Sequence, residues 1–223
     1  MYKNPGYDPY KSFEPIGHGG RCADDHHRPF RLPAQQHPGA GRVRQKNKDK
    51  VSLANAGIGA ASHLCGTMLV EALGVQLLTI PYKGTAPAMN DLLGKQVDLL
   101  CDQTTNTTQQ INAGSVKAYA VTSLQRVPTL SKLPTMDESG FKGFEVGIWH
   151  GMWVPKGTPK PVVDKLIKSL QAGLADPKFQ DRMKQLGATV LTSDATPQAL
   201  DAKVKQQVPQ WAELFKKAGV EQQ

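Results

Sequence analysis

From Val51 onward the hydrophobic positions fall into two alternating kinds of run. "VSLANAG" is a short β-type run closed by turn residues, and "SHLCGTMLVEALG" follows with helical spacing and a closing Gly74. "VQLLTIPY" is strand-like, "APAMNDLLGKQ" is helix-like with Gly94 as its stop, and "VDLLCD" is a continuous apolar run suited to a strand buried on both faces. "TTQQINAGS" makes a polar helix and turn, and "VKAYAVTS" another strand. Strands and helices in turn predict an α/β domain with a mainly parallel sheet.

After Ser123 the pattern loosens into a segment rich in proline and glycine, of the kind a crossover or hinge uses. Two helices close the chain. "PKPVVDKLIKSLQAGLAD" places Val163, Leu166, Leu170 and Leu174 at spacings of three and four, and "TPQALDAKVKQQVPQWAELFKKAG" is capped by Thr196 ahead of Pro197.

Composition narrows the classes little: 39% hydrophobic residues suit a soluble globular chain. A net charge of +8 would raise nucleic acid as a partner, but +5 of it sits in residues 18–50 and the remainder is close to balanced. No apolar run is long enough to span a bilayer, and Met1 opens no signal-like segment. The three cysteines have no paired spacing, hence no disulfide framework; Cys65 in an apolar helix and Cys101 at the end of an apolar strand are expected as buried thiols, and whether the two pair in an oxidising compartment stays open.

Candidate chemistry collects at three strand-to-helix junctions. "NAGIGAASH" is a glycine-containing turn into a helix, whose outward amides carry partial positive charge and suit a carboxylate or phosphate. His63, just inside that helix, is expected as a cap or surface histidine, with a ligand-facing role as the alternative. "PYKGTAPAMNDLL" puts Lys83 and Gly84 at the second junction, and "CDQTTN" ends a buried strand in side-chain donors and acceptors. In an open parallel sheet ligands bind at the carboxyl ends of the strands, so these three polar ends are expected to line one cleft. Trp149 and His150 are candidates to line a cleft, with a core or interdomain packing role as the alternative for Trp149. Outside residues 19–30 no catalytic constellation occurs: there is no GxSxG elbow, no HExxH and no nucleophile with a histidine base.

By "NAGIGAASHLCGTMLVEALG", "PYKGTAPAMNDLLGKQVDLLCDQTTNT" and "WHGMWVPKGTPKPVVDKL", the chain resembles the periplasmic solute-binding subunits of tripartite tricarboxylate transporters, the Bug family. The likeness runs from about Lys46 to the C-terminus and includes "YDPYKSFEPIG"; Lys95 stands where the family's block usually has a second glycine. The resemblance implies a type II periplasmic binding-protein-like clamshell, with one lobe largely present and the other incomplete. It implies capture of a small organic carboxylate for delivery to the transporter's membrane subunits, a role expected to be impaired here by truncation of the first lobe, with no covalent chemistry, no cofactor, no metal and no nucleic-acid partner. The ligand-binding positions carried over are Gly57, Ile58, Gly59, Ala60, Ala61, Ser62, Tyr82, Lys83, Gly84 and Asp102. The family is periplasmic, and this chain is expected to lack the export signal and the early loops of the first lobe.

One stretch departs from that pattern. "GGRCADDHHRPFRLPAQQHPGAGRVRQ" is basic, shows neither period, and is not expected to supply the apolar strand and helix the family has after "FEPIG". When each residue's possible codons are read one base out of phase, Cys22 to His27 yield Val or Ala, Pro, Met or Thr, then Ile or Thr. Residues 18–45 are therefore expected to be an out-of-frame translation between two compensating shifts. The adjacent Cys, Asp and His residues lack the spacing of a metal site. The domain scheme that follows is a first-lobe or crossover remnant (1–17), the out-of-frame segment (18–45), the second α/β lobe (46–123), and the crossover with the C-terminal part of the first lobe (124–223). An enzyme or a regulator's effector-binding domain on a similar bilobed scaffold is the alternative; the enzyme would need a metal at Cys22 to His27.

Overall fold

A computed structural model describes residues 6–8, 10–27 and 51–217, with residues 22–27 and 214–217 by backbone alone. Its strands are β1 (Phe13–His27), β2 (Ser52–Asn55), β3 (Leu78–Pro81), β4 (Leu99–Gln103), β5 (Ala118–Val121), β6 (Gly147–Pro155) and β7 (Ala188–Val190). The helices are α1 (Ala61–Leu73), α2 (Thr85–Leu93), α3 (Thr104–Asn112), α4 (Lys160–Ala175), α5 (Pro177–Gln185) and α6 (Pro197–Lys217). The chain divides into two compact units, Met1–Arg21 with Trp149–Gln223, and Cys22–Ile148. Segment 124–148, assigned from sequence to the crossover, packs within the second of these.

In the unit Cys22–Ile148 the strands hydrogen-bond in the order β3-β2-β4-β1-β5. β3, β2 and β4 are parallel, with Asn55 level with Pro81 and Ala54 with Leu100. β1 runs antiparallel to both β4 and β5. The four residues of β2 are all buried, as expected for a strand covered on both faces. Ala54, Ala88, Met89, Leu92, Val97, Leu100 and Val116 form one core cluster, and Ile80, Tyr82 and Ile111 pack against it. Val121, Val127 and Leu130 form a second, which explains why the irregular segment after β5 stays with this unit. That segment is pinned to β5 by Met136 N–H donating to the Val121 carbonyl at 2.9 Å and Val146 N–H to the Thr122 carbonyl at 3.1 Å.

Two expectations are corrected here. Cys65 and Cys101 are fully buried but are joined in a disulfide, with Cα atoms 6.1 Å apart at a sequence separation of 36. The packing of α1 on β4 juxtaposes them, a proximity that linear spacing does not encode. Residues 18–27 are strand after all, continuing β1: Asp24 pairs with Gln103, Asp25 with Asp102, His26 with Cys101 and His27 with Leu100. A strand between two partners satisfies its backbone groups whatever its side chains are, so pairing overrides composition. Residues 28–45 lie outside the described residues.

α2 ends in a Schellman motif: Gln96 N–H donates to the Asp91 carbonyl at 2.8 Å and Lys95 N–H to that of Leu92 at 3.1 Å. Lys95 sits at φ 61°, the left-handed position that glycine usually fills.

In the unit Met1–Arg21 with Trp149–Gln223, β6 and β7 pair with β1. α4 and α6 follow the expected helices, and the Thr196 hydroxyl caps α6 by accepting from Ala199 N–H at 3.2 Å. β6, α5 and β7 fall in stretches where the sequence offered no clear period. Among the described residues, no helix is long and apolar enough to cross a membrane.

Candidate functional site

Parallel strands that lead into helices place the helix N-termini at one edge of the sheet. Here β2, β3 and β4 deliver α1, α2 and α3, and none of the three helices has a side-chain cap on its first turn. The N-terminus of each helix carries the positive end of its dipole.

The turn after β2 is built by its own side chains. Ala56 N–H donates to Ser62 Oγ at 2.8 Å, Gly57 N–H to Asn55 Oδ1 at 3.0 Å, and Gly59 N–H to His63 Nδ1 at 3.4 Å. Ala60 N–H donates to the Gly57 carbonyl at 3.1 Å. The Ser62 hydroxyl and His63 Nδ1 are thus spent on the turn, and the His63 imidazole has its pKa lowered by burial. Gly57 has φ 119°, a conformation closed to other residues, and a Cβ there would stand 3.2 Å from the Tyr82 carbonyl oxygen. Tyr82 N–H in turn donates to the Asn55 carbonyl at 2.9 Å, so the first and second junctions are fastened together. Ile58 is exposed at the tip of the turn.

At the second junction the Tyr82 hydroxyl donates to Asp91 Oδ2 at 2.7 Å, which raises the phenol's pKa. Lys83 is exposed. Gly84, at φ 120° and ψ 174°, opens α2. At the third junction Asp102 is 3% exposed. Its Oδ1 accepts from Gln103 N–H at 2.7 Å and from Asn106 Nδ2 at 3.2 Å. Burial raises the Asp102 pKa, against the opposing effects of the Gln103 amide, the Thr85 hydroxyl and Asn106. Thr85 faces this carboxyl without meeting hydrogen-bond geometry at Oδ2, which has no partner. Asn55 Nδ2, on a side chain 1% exposed, has none either.

The three junctions singled out from sequence are therefore neighbours at one sheet edge. Asn55, Thr85 and Asn106 were not among the expected site residues. For Asn55 the signal was present: it is the one polar side chain able to donate and accept at the end of a short apolar strand. Trp149 belongs to the other unit, in β6, where its indole N–H donates to Gln207 Oε1 at 3.3 Å and its ring meets the His18 ring edge-on at 5.6 Å. The side chains of Cys22 to His27, considered as metal ligands and rejected, are outside those described.

The sequence matches the tripartite tricarboxylate transporter family receptor, TctC, over residues 1–220. A relative from Agrobacterium vitis, a UPF0065 protein of the TAR-I ttuE-ttuC' intergenic region, is 48% identical over 176 residues, 78% of this chain and 51% of its own. The chain spans about half the length of such curated relatives. Among solved structures, the periplasmic binding protein BugD is 78% identical with a TM-score of 0.92, covering 100% of this chain and 75% of its own. R. palustris Rpa4515 with adipate is 27% identical with a TM-score of 0.89, covering 100% and 74%. The fold is that of these periplasmic binding proteins, and the chain belongs to the TctC family of tripartite tricarboxylate transporter receptors.

Proposed function

We propose that this chain is the solute-binding component of a tripartite tricarboxylate transporter and holds a small organic carboxylate at the carboxyl edge of β2, β3 and β4. The observation that carries the reading is the convergence of three uncapped helix N-termini beside two buried side chains, Asn55 and Asp102, each with an unpartnered polar atom. Helix-terminal amides attract anions, and an unpaired buried donor favours an occupant that accepts from it. Within the turn 57–62 the amides of Gly57, Gly59 and Ala60 are engaged internally. Those of Ile58, Ala61 and Ser62 are the ones to bind a ligand oxygen. Gly84 lets α2 begin without a side chain over its first amides, while Tyr82 and Lys83 line the rim. The adipate bound by Rpa4515 is of the same ligand class.

No bond to the ligand is made or broken in this role; the working steps are capture and delivery to membrane subunits. The periplasm is the compartment, and the buried Cys65–Cys101 disulfide suits its oxidising conditions. Isothermal titration against a panel of dicarboxylates and tricarboxylates tests the reading. Saturable one-to-one binding of a carboxylate supports it, and the absence of heat with every member counts against it.

The out-of-frame origin of residues 18–45 belongs to the same reading. Residues 24–27 of β1 lie between β4 and β5, a central position where apolar residues are the rule, yet they read Asp, Asp, His, His. The shifted text supplies Met or Thr, then Ile or Thr. Resequencing the gene across codons 15–50 decides it: a single-base correction at each end supports the shift, and an unchanged sequence ends it.

A further inference from the structure

Three side chains hold the turn after β2 from within. Asn55 Oδ1 takes Gly57 N–H and Ser62 Oγ takes Ala56 N–H, and an amide oxygen or a hydroxyl stays an acceptor at any ordinary pH. The third is His63, whose Nδ1 accepts from Gly59 N–H at 3.4 Å. Ala60 opens α1 without a capping side chain, and His63 is the third residue of that helix. The imidazole thus reaches back over the first turn as the glutamate of a capping box does. It differs from the other two acceptors in one respect: an imidazole nitrogen accepts only while unprotonated, and in imidazolium both nitrogens are donors. Accepting at Nδ1 fixes the neutral tautomer that carries its proton on Nε2.

One proton therefore changes the turn. Protonated His63 sets an N–H against the Gly59 N–H, donor to donor, and puts positive charge in the first turn of a helix, where the dipole opposes it. Gly59, at φ 84°, links Ala60 to Ile58, whose amide is free for a ligand oxygen. Among the described residues no charged group faces the ring: α1 packs on β2 and β4, which bring Asn55 and Asp102 to this end. The Asp102 carboxyl is engaged with Gln103 and Asn106 and faces Thr85. Burial is what moves the His63 pKa, downward from 6.5.

We propose that His63 is a positioning residue for the carboxylate-binding turn: neutral, it holds residues 57–62 in the anion-binding form, and on taking a proton it releases Gly59 and lowers the affinity for a carboxylate. The effect on affinity rests on the carboxylate reading, whereas the coupling of His63 to Gly59 is a property of the turn alone.

NMR of the chain with isotope-labelled histidine rings and glycine amides reads that coupling without a ligand. His63→Gln removes one of the six sets of imidazole signals and so assigns His63. At neutral pH the ring is expected to carry its proton on Nε2, and as the pH falls below 6.5 the Gly59 amide signal should move with the imidazole. Titration calorimetry with adipate and citrate from about pH 7.5 to about pH 5 reads the consequence. Affinity should fall toward acid by up to about tenfold per pH unit, because only the unprotonated fraction binds. His63→Gln, whose side-chain oxygen accepts at every pH, should lose that fall. The probes' own carboxyls titrate alike against both proteins, so the difference between the two curves belongs to His63. Asp102→Asn should keep the fall, which separates the two groups. A proton on Nδ1 at neutral pH, a Gly59 amide indifferent to the titration, or the same fall in His63→Gln overturns the proposal. So does binding that tightens toward acid only in the wild type, the result expected if the imidazolium charge attracts the ligand. Silence from both probes at every pH, with the Gly59 step present, would overturn the carboxylate reading and leave the coupling standing.

Discussion

The backbone N–H of Tyr82 donates to the carbonyl of Asn55 at 2.9 Å, and the carbonyl of the same tyrosine faces Gly57. Two junctions are thereby held in fixed spacing by main-chain atoms, and Gly57 is the residue that permits the approach. Gly57→Ala introduces a side chain at φ 119°, 3.2 Å from that carbonyl oxygen. A loss of about 1–3 kcal/mol is expected, the usual cost of a residue in a disallowed backbone region. Urea unfolding measures it, and a loss under a few tenths of that would show that the turn relaxes freely.

Asn55 offers the buried Nδ2 while its Oδ1 holds Gly57 N–H. Asn55→Asp keeps an oxygen for Gly57 and replaces the donor by negative charge. Carboxylate affinity should fall by at least about thirtyfold, as for other buried charged contacts made repulsive. Titration calorimetry with the tightest ligand of the panel reads this; unchanged affinity would remove Asn55 from the site.

Asp102 carries a pH signature. Burial raises its folded-state pKa above the ordinary 3.8, so between those values the folded protein binds more protons than the unfolded one. Stability therefore falls as pH rises through that window, and the cost of the buried charge is complete above it. Asp102→Asn keeps an acceptor for Gln103 N–H and removes the charge. Melting temperatures of variant and wild type should coincide below pH 3.8 and separate above it, with the variant higher. Parallel curves would show that Asp102 titrates alike in both states.

Lys95 occupies the left-handed position of the α2 Schellman motif. A non-glycine residue there is disfavoured by about 1 kcal/mol, so Lys95→Gly should stabilise the protein by an amount of that order. Denaturant midpoints at equal slope decide it, and a destabilised variant would mean that the exposed lysine makes a compensating contact.

The Cys65–Cys101 disulfide closes a loop over a sequence separation of 36 residues. The chain-entropy relation gives about 4 kcal/mol for a loop of that size. Replacing both cysteines by serine should lower unfolding free energy by roughly that amount. A reductant should then no longer affect the variant's stability, while it lowers that of the wild type.

Much of the unit from Cys22 to Ile148 was legible because its strands and helices differ in period. The apolar run VDLLC leading through β4 and the spaced leucines of α1 leave little ambiguity, and Gly74 and Gly94 mark helix ends. The sequence-expected junctions meet at one edge because parallel strands can meet in no other way. What sequence did not yield depends on tertiary neighbours. The strand at residues 24–27 is made by its partners β4 and β5 rather than by its acidic and imidazole side chains. Cys65 and Cys101 meet through helix-on-sheet packing. The Ser62 hydroxyl and the Tyr82 phenol look available in a linear motif, but they bond to Ala56 and Asp91. Segment 124–148 lacks periodicity because it packs through single anchors such as Leu130, Met136 and Phe144.

The Cys65–Cys101 link spans β3 and α2 completely, and with them Lys83 and Lys95, both exposed. A tryptic cut after either lysine severs the chain inside a covalent ring, so the two fragments stay attached. The nicked protein would migrate as a single species until reduced and as two thereafter, and the loop bearing the second junction could be opened without being lost.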